Sequence, residues 1–539
     1  MWQASNVYGI CAFAAIGGAL FGFDISSMSG VLGTEAYRRY FDHPLGYRQG
    51  GITASMPIGS FFGALSSSFI ADRFSRKRAI QFSCVIWVIG ATFQTAAQNV
   101  AMLCVGRWIA GVCVGICSAI VPVYQAEIAP REIRGRVVSL QQWAITWGIL
   151  IQYFIQYGAA EGIGGGPTDP NQPTAAFRIP WGVQMVPGVI LGLGLFFCPY
   201  SPRWLASKDR WEEAMQVLVR VHGKGNPDDP KVLAQYREIE ETLKLEHEQA
   251  QTSFKTLTEP RILRRVVIGC GLQLWSQLSG MNIMMYYIVY IMQGAGLGSP
   301  LLTAAVQYIV NVVMTLPAII FLDKWGRRVP ILAGFFGMML WLFVSGGLQQ
   351  AYGEPNTDET RTPENQDVTW IVRGQQSVSI GIVAASYLFV ATFATTIGPT
   401  SWAYPAEIYP SKVRAKAVSL STSTNWLANT ALAFAVPPLL ESINYNMYYI
   451  FATFNGLAFI HMFLMAPETK GFTLEEMDDV FDSGVPAWRT HVKRSRLDEL
   501  EREIEQGNIK IEKPVGDQPG GIVEANKAPE AEAVTVENR

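Results

Sequence analysis

The sequence predicts an all-α membrane protein of twelve transmembrane helices in two six-helix halves, with both termini cytoplasmic. Three observations predict it. Only 16% of the 539 residues are charged and 49% are hydrophobic, where a soluble protein carries about 25% charge. The mean hydropathy is positive, +0.18. One soluble core cannot absorb that excess, because cores stop growing near ~250–300 residues. Finally, stretches of about 20 mostly apolar residues, the length of a bilayer crossing, recur along the whole chain.

The expected spans are 7–31, 51–71, 79–98, 101–124, 137–158, 180–199, 265–292, 300–322, 329–350, 376–401, 414–440 and 445–466. Six precede a polar stretch at 200–264 and six follow it. The first has no basic segment before it and reads as a span rather than a cleaved signal. Short cytoplasmic loops collect Lys and Arg, which sets the orientation. Four loops on one side carry Arg73, Arg76, Lys77 and Arg78; Arg131, Arg134 and Arg136; Lys324, Arg327 and Arg328; and Lys412, Arg414 and Lys416. Opposite loops are poorer for their length, with only Arg178 in 159–179; loop 32–50, with Arg38, Arg39 and Arg48, is the exception.

Glycines four apart (Gly59 and Gly63, Gly111 and Gly115, Gly188 and Gly192) are expected to let helices approach closely. In the polar centre, Trp211, Ala214, Met215, Leu218 and Val219 recur at helical spacing, and 228–250 reads as a second, highly charged helix. The tail predicts a helix near 490–506, then disorder. The resulting division is 1–199 for the N-terminal half, 200–264 for a cytoplasmic helical linker, 265–470 for the C-terminal half and 471–539 for the tail.

The composition also excludes functions. A net charge of −2 gives no reason to expect a nucleic-acid partner. All seven cysteines lie in or beside apolar runs, so neither a disulfide framework nor a metal site is expected. No phosphate-cradling G-x-x-x-x-G-K-[ST] loop occurs. No nucleophile–base or metal cluster lies in the spans, so no enzyme activity and no cofactor are expected.

Two segments repeat. Asp72-Arg73-Phe74-Ser75-Arg76-Lys77 resembles Asp323-Lys324-Trp325-Gly326-Arg327-Arg328. Ala126-Glu127-Ile128-Ala129-Pro130 with Arg134 resembles Ala406-Glu407-Ile408-Tyr409-Pro410 with Arg414. More weakly, Pro199-Tyr200-Ser201-Pro202-Arg203 resembles Pro467-Glu468-Thr469-Lys470-Gly471. Two repeated halves with a site between them is a transporter design. Arg73 and Arg76 are expected to reach Glu127, and Lys324 and Arg327 to reach Glu407, as a cytoplasmic latch. The plainer alternative is topology signal on solvated loops.

These motifs, together with Gly106-Arg107 and the segment Trp275-Ser276-Gln277-Leu278-Ser279-Gly280-Met281-Asn282-Ile283-Met284-Met285-Tyr286-Tyr287, resemble the sugar porter family of the major facilitator superfamily. The likeness is greatest to fungal high-affinity glucose/hexose–proton symporters. It covers about residues 7–484. It implies the major facilitator fold, a monosaccharide and a proton as cargo, the plasma membrane, and action as a monomer. Its gating loops place Asp72, Arg73, Arg76, Glu127, Arg134, Asp323, Lys324, Arg327, Glu407, Arg414 and Glu468 at a cytoplasmic gate. Departures are Ser68 and Ser75 where Gly is usual, Tyr200 where Glu is common, and Ser276 where many relatives carry Gln.

A sugar is a ring of hydroxyls with apolar faces. It asks for amides, which both donate and accept, and for an aromatic plate. Gln277, Asn282, Asn311, Trp402, Asn425 and Trp426 supply these in the second half, and Phe21, Gln142, Ile145 and Ile149 in the first. The resemblance matches each to a sugar-contacting position, with Ser276 as a shorter contact through water. Amides in membrane helices also act as interhelical glue. The Met284–Met285 pair reads as packing, and Tyr286 and Tyr287 as outer-gate candidates.

Asp24 lies within the first span, where a carboxylate costs about 2.5–3.5 kcal/mol on insertion scales. Arg107 in the fourth span is its natural partner. Proton-coupled relatives carry Asp here and several facilitators carry Asn. Burial disfavours the carboxylate and the arginine favours it. A switch that separates them lets Asp24 take a proton, and re-pairing expels it. One charge crossing 100 mV is worth about 2.3 kcal/mol, roughly a 50-fold sugar gradient. A static buried pair, a sugar uniporter and a non-transporting sugar sensor remain the alternatives.

Overall fold

The structure is a computed structural model that describes residues 5–44, 46–164, 169–223, 225–248, 254–286, 291, 292, 295, 300–357, 369–410, 413–472, 477–482, 485–489, 502, 504, 506, 509–511 and 522–524. It is mostly helical. The chain divides into two units, Met1–Pro199 with Thr252–His491, and Tyr200–Gln251 with Val492–Arg539.

The first unit contains α1 (Val7–Ala14), α2 (Ile16–Ser29), α3 (Gly46–Phe74), α4 (Arg76–Thr95), α5 (Val100–Ile128), α6 (Arg134–Gly162), α7 (Ala175–Val183) and α8 (Met185–Gly194). It continues with α9 (Pro260–Leu278), α10 (Met281–Tyr286), α11 (Pro300–Trp325), α12 (Arg328–Tyr352), α13 (Gln376–Thr395), α14 (Ile397–Ile408), α15 (Arg414–Ile443) and α16 (Asn446–Met465). A short antiparallel pair, β1 (Gly353–Pro355) with β2 (Trp370–Val372), follows α12.

Eight stretches among the described residues are long and apolar enough to cross a bilayer, beginning with Val7–Ser29 and ending with Asn446–Met465. The expected spans at 79–98, 137–158, 265–292 and 414–440 are largely helical over their described residues but are not among the eight. All four carry polar or charged side chains. Among them, α6 holds Gln141, Gln142, Gln152 and Gln156, α9 opens with Arg261, Arg264 and Arg265 and ends near Ser276 and Gln277, and α15 holds Asn425 and Asn429. The expected span 265–292 is also broken. Ser279 and Gly280 separate α9 from α10, and Gly280 has φ +94°, a left-handed conformation that glycine adopts freely. The span expected over 376–401 breaks at Thr396, where α13 gives way to α14.

Two glycine pairs work as expected. An added Cβ on Gly59, Gly63, Gly111 or Gly115 would lie 2.0–2.2 Å from a backbone oxygen of the facing helix, so α3 and α5 approach at a distance only glycine permits. Gly188 instead faces the Trp87 ring.

In the second unit both helices expected in the polar stretch form, as Trp211–Val221 and Pro230–Glu248. The first buries Trp211, Ala214, Met215 and Leu218, and Val219 is half-buried. The helix expected near 490–506 falls almost wholly outside the described residues. Disorder was expected beyond it. Instead Ile509–Ile511 pairs with Ile522–Glu524, segments rich in β-branched residues that suit a strand.

The sequence repeat is a repeat of bonds. Tyr124 donates its hydroxyl to Pro199 O at 2.7 Å, and Tyr404 donates to Pro467 O at 2.8 Å. Lys77 Nζ donates to Phe196 O and Cys198 O. Arg328 likewise donates to the carbonyls of Met462, Phe463 and Ala466. Gly326, with φ +83°, matches Ser75, with φ +93° and ψ 156°. Only glycine is comfortable there, and other residues lose about 1–3 kcal/mol.

Ser75→Gly should therefore stabilise the protein by about 1 kcal/mol, after a few tenths for the lost Ser75 bond to the Arg78 N–H. The unfolding midpoint in detergent checks this. A lower midpoint would mean the cap outweighs the strain.

Candidate functional site

Asp24 on α2 and Arg107 on α5 meet with no solvent exposure, Oδ2 to Nη2 at 3.3 Å. Arg107 also donates from Nε to Ile52 O at 3.2 Å and from Nη1 to Ser27 Oγ at 3.3 Å. Its fork is well used. Asp24 Oδ1 has no hydrogen-bond partner among the described residues. Gly22 and Gly148 let α2 and α6 touch backbone to backbone beside this pair: a Cβ on Gly22 would lie 2.1 Å from Ile145 O.

Of the expected sugar residues, ten are buried: Phe21, Gln142, Ile145, Ile149, Ser276, Gln277, Asn311, Trp402, Asn425 and Trp426. Asn282 is half-buried. An amide cluster joins α9, α10 and α15. Gln277 Nε2 donates to Asn425 Oδ1 at 2.6 Å, and Gln277 Oε1 accepts from Asn282 Nδ2 and from Asn429 Nδ2, the latter at 3.2 Å. Contacts around these residues also join the sequence halves. Trp402 Nε1 donates to Gln142 Oε1 at 3.1 Å. Trp426 Nε1 donates to Ser118 Oγ at 3.0 Å. Phe21 meets Trp426 edge-on at 4.7 Å.

Part of this cluster is glue, yet capacity is left over. Asn425 Nδ2, Asn429 Oδ1 and Asn311 Oδ1 are buried without partners among the described residues. A buried polar atom left unpaired costs about 1–3 kcal/mol. One unspent donor and two unspent acceptors among buried aromatic and aliphatic residues suit a polyol. Asn311 is the loosest member, with a contact to Met285 Sδ at 3.9 Å. Ile145 and Ile149 form the seat for Gly22. Met284 and Met285 are buried as packing. Tyr287 and the Tyr286 side chain lie outside the described residues.

Asn429, Ser118 and Tyr308 were not anticipated. Asn429 stands one turn from Asn425 on α15, so helical spacing was the available signal. Nothing local marks Ser118 or Tyr308, because their partners are distant in sequence.

The repeated loops form two ion-pair groups. Arg76 pairs with Glu127 at 3.1 Å and with Asp72 at 3.4 Å. Arg327 pairs with Glu407 at 2.6 Å and with Asp323 at 3.3 Å. Burial alone would lower the pKa of Arg327, but Glu407 and Asp323 more than offset it, so the guanidinium is held above its ordinary value. Arg134 and Arg414 are buried, and Arg414 Nε donates to Tyr409 O at 3.1 Å.

Two gate residues differ from expectation, and a third meets backbone. Arg73 and Lys324 do not reach Glu127 and Glu407. Both are exposed at helix ends, over the rings of Phe74 and Phe321. Glu468 meets backbone rather than side chains. Its Oε1 accepts from the N–H groups of Arg327, Thr469 and Lys470, and its Oε2 from Arg328, which caps the start of α12. The halves touch here too, as Arg136 N donates to Asp323 Oδ2 at 3.0 Å.

Two groups of helices with repeated loop contacts, buried amides and buried ion pairs are the features of a membrane carrier of small polar molecules. Residues 10–481 match the family described as "Sugar (and other) transporter". The chain is 65% identical to the MFS glucose transporter mfs1 of Aspergillus flavus over 95% of this chain and 96% of that one. It is 43% identical to the high-affinity glucose transporter of Kluyveromyces lactis over 90% and 87%. Among solved structures it resembles the proton:xylose symporter XylE bound to 6-bromo-6-deoxy-D-glucose, with TM-score 0.74, 26% identity and coverage of 89% and 100%. Against the inward-open form of XylE from E. coli the TM-score is 0.65, at 26% identity over 88% and 99%. The chain belongs to the sugar transporter family of the major facilitator superfamily. It is a membrane sugar transporter and not an enzyme.

Removing Arg327 strands the buried Glu407. Arg327→Ala should cost about 3–5 kcal/mol, whereas Arg73→Ala should stay within about 0.5 kcal/mol. Unfolding midpoints of the two variants in detergent test the contrast, and equal losses would contradict it.

Proposed function

We propose that this protein carries a monosaccharide, glucose or another hexose with xylose in the same size class, into the cell together with a proton. It works by alternating access across the plasma membrane. In this reading twelve helices cross the bilayer with both termini cytoplasmic, and residues 1–199 and 265–470 rock about the amide site. The stretch 200–264 is the cytoplasmic linker and 471–539 the cytoplasmic tail.

The observation that carries it is the fully buried Asp24–Arg107 pair, in which one carboxylate oxygen lacks a donor. A buried ion pair is weak evidence for stability, while an ionisable residue within the membrane points to a proton or ion pathway. Arg107 holds one oxygen and leaves the other to receive a proton. Sugar binds where Asn425, Asn429 and Asn311 keep unspent hydrogen-bonding atoms, with Trp402, Trp426 and Phe21 against its apolar faces. The relatives named above are glucose transporters, and the neighbour in structure is a proton:xylose symporter. The closed ion-pair groups on the repeated loops, with the higher similarity to the sugar-analogue-bound form, support a conformer latched on the cytoplasmic side.

Asp24→Asn should abolish sugar-driven proton uptake and accumulation against a gradient, while counterflow exchange survives. The measurement is labelled-glucose uptake and external pH in vesicles holding the purified protein. Accumulation that persists in Asp24→Asn sinks the coupling role. Downhill uptake without proton movement in the wild type identifies a uniporter, and no uptake at all identifies a sensor.

The same vesicles rank the cargo. Xylose, galactose and fructose, all monosaccharides, should compete better than the disaccharide maltose. Maltose competing as well as glucose would overturn the monosaccharide assignment.

A further inference from the structure

We propose that Tyr308 is the positioning residue that ties the proton pair to the sugar site, through Ser29 on one side and the Met285 carbonyl on the other. This rests on the symport reading above.

Tyr308 sits on α11 and is fully buried. Its hydroxyl lies 3.0 Å from Met285 O and 3.3 Å from Ser29 Oγ. Its ring lies 4.8 Å from that of Tyr153 on α6. Three helices therefore converge on one phenol: α2 by a side chain, α10 by a backbone oxygen and α6 by an aromatic face.

Each partner leads to one of the two cargo sites. Ser29 belongs to the last turn of α2. Asp24 is five residues back, about 7.5 Å along the helix and roughly 140° around it. Between them Ser27 accepts from Arg107 Nη1 and donates to Asp24 O at 2.7 Å, while its own carbonyl accepts from Trp181 Nε1 at 3.2 Å. The end of α2 is thus gripped on one side by the Arg107 network and on another by Tyr308. On the far side, Met285 is three residues from Asn282 on the short helix α10, and Asn282 donates to Gln277. The contacts form one connected route: Asp24, the end of α2, Ser29, Tyr308, Met285, α10, Asn282, Gln277.

The mechanism follows from that route. When Asp24 and Arg107 are paired, the end of α2 is fixed and Ser29 stands under Tyr308. When the pair opens on protonation, the end of α2 loses its hold on one side. The Tyr308 hydroxyl passes that change to the backbone of α10, and so to the amide that meets Gln277. Without the hydroxyl the two sites still bind their cargo, but each moves without the other.

A connected route demonstrates coupling only if breaking it uncouples the ends. Tyr308→Phe removes one oxygen and keeps the ring against Tyr153. In vesicles, protons moved per sugar should fall about 2–10-fold, the span of one net hydrogen bond. Counterflow exchange and its half-saturating sugar concentration should stay within about 2-fold. Ser29→Ala, made from the other side, should give the same loss, and the double variant should add nothing further. A side chain that merely packs would lower thermal stability and exchange together, leaving the ratio intact. If the wild type moves protons with sugar and both variants keep its ratio, the link is wrong and the symport reading stands. If the wild type moves no protons, both fall.

Discussion

The pairing of Asp24 with Arg107 is the constraint to which the rest of the molecule answers. Both charges are taken wholly out of contact with solvent. Each loses several kcal/mol of hydration, roughly, and the attraction between them restores this only with good geometry and further hydrogen bonds. Arg107 has those bonds, to Ile52 O and Ser27 Oγ. Asp24 has one oxygen held and one bare. The cation is settled and the acid is not. Apolar residues of the same volume would serve a merely structural bundle at least as well. The helix that carries the acid is in turn seated on α6 through Gly22 and Gly148, which fixes its distance from the sugar site without filling the space between.

Glue and ligand are not exclusive roles for the amides. Gln277 spends its whole head group inside the protein, on Asn425, Asn282 and Asn429. That rigidity places Asn425 Nδ2 and Asn429 Oδ1, which have no partner among the described residues, one turn apart on α15. A donor and an acceptor at that spacing is what neighbouring hydroxyls on a ring require. The helices α6, α9 and α15, which carry most of the buried amides of this cluster, are not among the apolar spans.

Much of this was legible in the sequence, for reasons that differ by element. Hydropathy exposed the helices because lipid demands long apolar stretches. The repeated loops exposed Arg76–Glu127 and Arg327–Glu407 because duplicated acid–base spacing reflects duplicated geometry. Asp24 stood out because an acid in an apolar run is costly. Other features lay outside local reading. Arg73 and Lys324 share the charge of their neighbours but sit on the exposed turn of a helix end. Glu468 collects four backbone N–H groups, including those of Arg327 and Arg328, and those partners depend on chain direction, which charge pattern does not reveal. Ser29 and Tyr308 are unremarkable in composition, and only their meeting in space, 279 residues apart in sequence, gives them meaning. The strand pair near 509–524 arises from β-branched residues too few to register against a charged tail.

The two copies of the loop motif are alike in chemistry and unequal in hold. In the second, Gly326 takes its left-handed turn without strain, and Glu468 fastens the start of α12 through the N–H groups of Arg327 and Arg328. In the first, Ser75 occupies the same turn at a cost, and Tyr200 stands in the sequence where the second copy has Glu468. The first loop thus keeps its Arg76–Glu127 pair while storing backbone strain beside it. Closed, it has less to lose on opening than its counterpart. In the proposed alternating-access cycle the order in which two such latches yield would follow their relative stability, so the difference between the copies is a physical asymmetry between the two loops.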